Sequence, residues 1–408
     1  MWWTTIFYKY ILLVTMDSDK DILLTWAVTE IINESNLLRR LKASKKLVVK
    51  LGVDPTSKDL HLGHAVVLRK LRQFQDSGHQ AVLVIGDFTA RIGDPAGVNK
   101  TRPVLSEAEI KNNMETYLTQ AGAILELKKA RVLYNSSWLA KMNLSDLLGY
   151  ANQISLNTLI EREDFATRLK AKQSVGLHEL LYPLTQAIDS VELHSDVEIG
   201  GWDQRLNLLL GRELQKKVGQ SSQDLVLLKP LLGLDGVKKM SSSLGNYIAL
   251  TDSADEMFGK VMSIPDSLII HYGELAALMG SEEEVKKQLK DIHPRDQKAI
   301  VASKIVELYH GLPSAKKALQ NFNQTFRDKK IADYLVSELD FSQKSISVLH
   351  AVAEAAQCSN TQAGRLIDQG AIKLNGTKMT DPNLIIELTG ELVLQVGKHS
   401  WRKLGRRR

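Results

Sequence analysis

Residues 46–85 read KLVVKLGVDPTSKDLHLGHAVVLRKLRQFQDSGHQAVLVI, and their alternation of apolar runs with turn residues sets the architecture. Leu47, Val48, Val49, Leu51 and Val53 make residues 46–53 a buried strand. A turn rich in Asp, Pro, Thr and Ser covers residues 54–59, and a helix runs from about His61 to Ser77, stopped by Gly78. Residues 81–85 form a second apolar strand. Strand, loop, helix and strand in so short a span make a βαβ unit, which predicts an α/β, Rossmann-like parallel sheet.

Further along, Ser106 with Glu109 three residues later is a capping-box pair that opens a helix toward Ala121. Residues 195–199 and 226–231 read as strands, each running into a glycine-containing loop. Residues 253–330 turn helical, with Pro265, Pro294 and Pro313 marking breaks. Residues 346–356 are helical again, and Asn360 is placed to cap a short helix that stops at Gly370. Residues 372–374, the turn pair Asn375-Gly376 and a strand at 392–396 complete a small α+β module.

The chain has 408 residues, 44% hydrophobic and 25% charged, as in a soluble protein of two or three domains. Its one cysteine, Cys358, excludes an internal disulfide framework and any multi-cysteine zinc cluster, and fits a reducing, cytoplasmic compartment. The net charge is +6, and residues 340–408 carry ten Lys/Arg against six Asp/Glu. Lys398, Arg402, Lys403, Arg406, Arg407 and Arg408 supply six of those ten, a basic tail suited to a polyanionic partner. Residues 2–14 are aromatic and apolar, but Lys9 interrupts them and they are too short to span a bilayer. No membrane partner is expected. Residues 1–15 read as an extension ahead of an effective start at Met16.

Three constellations carry chemistry. His61-Leu62-Gly63-His64 follows a strand and opens a helix, at the edge where open α/β sheets bind ligands. The two histidines share one face of the first turn and, with the free amides there, suit an anion. Gly63 lacks the side chain that would keep a flat base off the backbone. Lys239-Met240-Ser241-Ser242-Ser243 offers a cation and three hydroxyls on a loop, a clamp for pyrophosphate oxygens. Each of these motifs alone also describes an ordinary polar surface segment. Tyr182, Gln186 and Asp189 stand at i, i+4 and i+7, one polar stripe among Leu180, Leu181, Leu184, Ile188 and Val191, and so read as a pocket lining.

The first two motifs, at this spacing, resemble the paired signatures of class I aminoacyl-tRNA synthetases. The residues around them resemble bacterial tyrosyl-tRNA synthetases from about residue 30 to the end. LGVDPTSKDLHLGHAVVLRKLRQFQDSGHQAVLVIGDFTARIGDPAG at 51–97 carries that likeness, as do HELLYPLTQAIDSVELHSDVEIGGWDQRLNLLLGREL at 178–214, GVKKMSSSLGNYI and HPRDQKAIVASKIVELYHG.

The resemblance implies a tyrosine–tRNA ligase that uses ATP with Mg²⁺ as substrate, holds no fixed metal, charges tRNA(Tyr) and works as a homodimer. By it, Asp189 accepts the phenol hydroxyl of the tyrosine, while Tyr182, Gln186 and Asp94 hold its ammonium and Thr89 lies beside them. Gln204 takes the reacting carboxyl end and Asp203 a ribose hydroxyl. Asp54 and Thr56 line the nucleotide and α-phosphate region, with Gly63, Gly201, Met240, Ser241 and Ser243 completing the ATP site. His61, His64, Lys239 and Ser242 act on the phosphates. A site built to bond a hydroxyl rejects phenylalanine because its own buried acceptor would be left unpaired; tyrosyl-tRNA synthetase is itself the standard example, with discrimination of about 10⁵ and no editing. Asp87, on the same loop as Thr89, is polar without an assigned role.

The resemblance also divides the chain into a lead-in at 1–29, a catalytic domain with a dimerisation insertion at 30–252, an α-helical anticodon-side domain at 253–338 and an RNA-binding domain at 339–408. NTQAGRLIDQGAIKLNG, residues 360–376, resembles a small RNA-binding domain shared with a ribosomal protein, with Arg365 and Lys373 toward the tRNA. The segment between Ala130 and Leu180 is the expected dimer contact. Two positions depart from the family pattern: Ser242 stands where a lysine is common, and Trp202 where a small Ser or Thr is usual. They are the only support for the alternative reading, a catalytically impaired RNA-binding paralogue. A tryptophanyl enzyme shares the architecture, but Asp189 argues for a phenol.

Overall fold

The computed structural model describes residues 23–43, 45–94, 105–160, 163–326, 336–341, 343–388, 392–397 and 400–406. The expected extension at 1–15 with its start at Met16, and Lys398, Arg407 and Arg408 of the basic tail, lie outside these residues. The described residues form two compact units, divided between Ala315 and Lys316.

The first unit is built on six strands: β1 (Val28–Ile32), β2 (Val48–Val53), β3 (Gln80–Ile85), β4 (Arg131–Tyr134), β5 (Val197–Gly201) and β6 (Asp224–Leu228). Their order across the sheet is β1-β6-β5-β2-β3-β4. All neighbours are parallel except β1, which runs antiparallel to β6 at the edge. The chain runs outward from β2 through β3 to β4, then returns to β5 and β6 on the other side of β2. That reversal puts a switch point between β2 and β5, where open α/β sheets form their ligand crevice.

Apolar runs explain the central strands. All five residues of β6 and five of six in β3 are buried, as strands covered on both faces require. Helix α1 (Leu62–Asp76) buries Leu62, Ala65, Val66, Leu68, Leu71 and Phe74 on one face. Helix α2 (Glu107–Gly122) opens on the expected box, with Ser106 N–H donating to Glu109 at 2.8 Å. Helices α3 (Leu177–Leu193) and α4 (Arg205–Lys217) share a core of Leu184, Ala187, Ile188, Val191, Leu210 and Leu214. Truncating one of these leucines to alanine costs about 2–5 kcal/mol.

Several boundaries differ from the sequence reading, each for a local reason. The strand expected at 195–199 is β5, two residues later, because His194 turns left-handed (φ 47°) and Ser195 and Asp196 serve the connection. The strand expected at 226–231 ends at Leu228, ahead of Pro230, which has no N–H for a ladder. Pro294 opens the helix Pro294–Phe326 instead of breaking one, and the break near Pro313 falls at Gly311 (φ 80°).

The second unit carries the expected small α+β module. Its main sheet joins β7 (Val336–Phe341), β9 (Ile372–Leu374), β10 (Thr377–Lys378), β12 (Leu392–Val396) and β13 (Ser400–Arg406), in the order β10-β9-β12-β13-β7. A two-stranded pair joins β8 (Ser345–Ser347) to β11 (Ile385–Glu387). Asn375 (φ 45°) and Gly376 (φ 82°) make the turn between β9 and β10. The helix expected from 346 begins at Val348, since Ile346 pairs with Ile386 and Ser347 caps. Ser359, not Asn360, caps the helix Asn360–Asp368. Val348, Val352, Ala363, Ile367, Ile372 and Leu394 fill the core.

Candidate active site

The carboxyl ends of β2, β3, β5 and β6 open into one cleft of ≈ 720 Å³. Asp54, Thr56, His61, Gly63, His64, Thr89, Asp94, Tyr182, Gln186, Asp189, Gly201, Asp203, Gln204, Lys239, Met240, Ser241, Ser242 and Ser243 all line it. Every site residue read from the sequence in this unit is therefore brought together.

Asp54, the first residue past β2, joins the two halves of the site. It accepts from Thr89 Oγ1 at 2.8 Å and from Tyr182 Oη at 2.9 Å. Burial pushes its carboxyl up to about 7; the Thr89 bond opposes this and the Asp94 charge reinforces it. Gly86, at the end of β3, has to be glycine, because a Cβ there would lie 1.9 Å from Asp54 Oδ1.

Asp189 is buried on α3 and held by two donors that the sequence reading misses. Trp138 Nε1 donates to Oδ1 at 2.8 Å and Asn135 Nδ2 to Oδ2 at 3.3 Å. Burial raises Asp189 to about 6, against the Lys50 charge and these two bonds. Asp87 also gains a role. It accepts from Ser136 N at 2.9 Å and Ser136 Oγ at 2.6 Å, anchoring the short helix that carries Trp138. Elsewhere in the cleft, Gln204 Nε2 donates to Asp94 at 2.6 Å, and Asn207 Nδ2 bridges Gln204 (2.9 Å) and Gln186 (3.1 Å).

The two histidines stack at the start of α1 with ring centroids 3.8 Å apart, and His61 N–H donates to His64 Nδ1 at 3.2 Å. Burial lowers His61 to about 2 and His64 to about 4, with the Lys239 charge adding to both. Both imidazoles are thus neutral at pH 7 and act as hydrogen-bonding groups. A Cβ at Gly63 would meet the His61 ring at 3.0 Å and Met240 Cβ at 3.6 Å.

The Lys239 loop is pinned at both sides. Met240 N–H donates to the Leu231 carbonyl at 2.8 Å and Ser241 N–H to Asn246 Oδ1 at 2.8 Å. Ser57 Oγ donates to Ser242 Oγ at 3.1 Å, tying this loop to the one after β2. Lys239 pairs with Asp203; burial pushes the Asp203 carboxyl up, but the ammonium outweighs it and holds it below the ordinary range. Trp202 points outward, 44% exposed and outside the cleft lining, with the Arg205 guanidinium 5.7 Å from its ring centre.

Residues 42–327 match the family model described as tRNA synthetases class I (W and Y). The chain belongs to that family. The tyrosine–tRNA ligase of Thermotoga maritima is 45% identical over 382 residues, covering 92% of this chain and 95% of the relative. That of Moorella thermoacetica is 44% identical, covering 92% and 93%. Among solved structures, tyrosyl-tRNA synthetase complexed with L-tyrosine from Archaeoglobus fulgidus aligns with a TM-score of 0.60 at 27% identity, over 73% of this chain and 98% of that one. The two expected RNA contacts of this class I synthetase lie in the second unit, both exposed: Arg365 on the helix Asn360–Asp368 and Lys373 on β9. Among the described residues, no helix is long and apolar enough to cross a membrane.

Proposed function

We infer that this chain is a tyrosine–tRNA ligase. The observation that carries the reading is Asp189, a buried carboxylate lining the cleft and held by Trp138 and Asn135, suited to accept a phenol hydroxyl. Tyr182, Gln186 and Asp94 take the ammonium, and Gln204 the carboxyl end. Asp54, Thr56, Gly63, Gly201 and Met240 line the ATP side.

In the first step a carboxylate oxygen of tyrosine attacks the α-phosphorus of ATP. The bond to the oxygen bridging to the β-phosphate breaks, giving tyrosyl-adenylate and pyrophosphate. Positioning and charge stabilisation supply the rate, so no protein nucleophile is needed. Neutral His61 and His64 donate hydrogen bonds to phosphate oxygens, and Ser241, Ser242 and Ser243 add hydroxyls. Lys239 leaves Asp203 for the phosphates, freeing that carboxylate for a ribose hydroxyl; Mg²⁺ arrives with the ATP. In the second step a terminal ribose hydroxyl of tRNA(Tyr) attacks the activated carbonyl carbon, and AMP departs as the hydroxyl proton is lost.

The remaining assignments rest on the likeness to tyrosyl-tRNA synthetases, supported in two places by exposure and charge. Leu144, Leu148, Leu156 and Leu177 are 57–74% exposed within the segment expected to form the dimer contact, and a second copy of the chain covers them. Residues 253–338 face the anticodon side of the tRNA, and residues 339–408 bind RNA phosphates through Arg365 and Lys373. The enzyme works in the cytoplasm. Charging of total bacterial tRNA with labelled tyrosine, tryptophan or phenylalanine tests the reading. Charging with tyrosine alone is expected; charging with tryptophan, or with none of the three from folded protein, overturns it.

A further inference from the structure

One buried charge pair has no part in the reaction as described. Lys50 and Glu198 are register partners on β2 and β5, the strands flanking the switch point. They are 0% and 1% exposed, lie behind the cleft lining, and approach to 3.0 Å. The Lys50 ammonium also donates to Ser190 Oγ at 2.8 Å and to the Gln186 carbonyl at 3.2 Å, so its three protons meet three acceptors. Gln186 and Ser190 bracket Asp189 on α3. Glu198 accepts from Gln186 Nε2 at 3.3 Å, Ser190 Oγ at 3.0 Å and Gln223 Nε2. Gln186 continues through Asn207 to Gln204 and Asp94. One hydrogen-bond chain therefore runs from the pair to the side chains facing the substrate.

Desolvating two full charges is costly, and apolar residues of similar volume often stabilise a core as well or better. Stability alone does not account for the pair. We propose that Lys50 and Glu198 are positioning residues for amino-acid recognition, fixing Gln186 and Asp189 in the geometry that accepts tyrosine and refuses phenylalanine. The Lys50 charge favours the ionised, acceptor form of Asp189 and the Glu198 charge opposes it, so the pair acts chiefly through geometry. The inference rests on the tyrosine–tRNA ligase reading.

Glu198→Gln tests it with least change of shape, because it replaces one carboxylate oxygen by an NH₂ that must face donors. The double variant K50M/E198Q leaves no lone buried charge, and decides the matter where the single variant fails to fold. Tyrosine, phenylalanine and ATP kinetics are read by ATP–pyrophosphate exchange on the full chain. Both variants are expected to raise the tyrosine KM about tenfold, the worth of one charge-assisted hydrogen bond, and to lower the tyrosine/phenylalanine preference. The ATP KM stays within about twofold. An unchanged tyrosine KM and preference overturn the proposal, as does a fall in kcat with every KM unchanged, the mark of a smaller active fraction. Wild-type protein that exchanges with no tyrosine dependence overturns the ligase reading instead.

Discussion

Trp138→Phe removes one donor from Asp189 while keeping an aromatic ring against the core that includes Leu184 and Ile188. The lost bond spans 2.8 Å and ends on a carboxylate, so it is worth about 1.5–3 kcal/mol. That free energy appears as a tyrosine KM raised roughly tenfold to a hundredfold, or as an Asp189 carboxyl that ionises about one to two pH units higher, and is counted once. Asp189 already sits at about 6, so in the wild type it is largely ionised at pH 8 and half protonated at pH 6. Protonation weakens the acceptor, so the tyrosine KM rises as pH falls through 6. In the variant the same rise begins about one pH unit higher. Asp54, at about 7, titrates in the same window and feels the Asp189 charge, so the comparison reads the shift of the whole profile between the two proteins. The assay is tyrosine KM by ATP–pyrophosphate exchange, from about two pH units above the Asp189 midpoint to just below it. A tyrosine KM that matches the wild type at every pH would refute the reasoning.

Substitutions at Gly86 and Trp202 probe the surroundings of the cleft, and those at Arg365 and Lys373 probe the second unit. Gly86→Ala places a methyl 1.9 Å from Asp54 Oδ1, and overpacking of this kind should cost about 1–3 kcal/mol, read as a lower melting temperature. Trp202→Thr should leave the ATP KM unchanged within about twofold, because the indole points outward, and lose only the Arg205 contact, about 0.5–1 kcal/mol in unfolding experiments. A rise in ATP affinity of about tenfold or more would instead place the indole in the nucleotide site. Replacing Arg365 and Lys373 by alanine should weaken tRNA binding and flatten its salt dependence by about two units of slope at most, while tyrosine-dependent exchange stays at the wild-type rate.

Sequence is most informative where chemistry or burial forces a pattern. The continuous apolar runs of β3 and β6 announce a doubly covered sheet, and His61-Leu62-Gly63-His64 announces the helix start beside it. Edge strands are harder to see. Arg131–Tyr134 is a four-residue strand with no fully buried residue, and Val28–Ile32 has none either, so neither shows a strong alternation. The supporting polar residues are hidden for a different reason. Asn135, Trp138 and Asn207 are scattered along the chain, and only the fold aims them at Asp189, Gln186 and Gln204. Lys50 and Glu198 do leave a trace, each a single charge in an otherwise apolar strand. Their meaning depends on β2 and β5 being neighbours, which no local pattern states. Gly63 matters for its missing side chain, as its position suggests, since a Cβ there would press on the His61 ring.

The most direct test of the central claim is the ratio of kcat/KM for tyrosine over phenylalanine in ATP–pyrophosphate exchange, compared between the wild type and Asp189→Asn. A wild-type preference of about 10⁴–10⁵ is expected, falling by at least about a hundredfold in the variant, with the ATP KM little changed. A preference that survives the substitution would show that Asp189 does not read the phenol, and would contradict the mechanism of recognition at its centre.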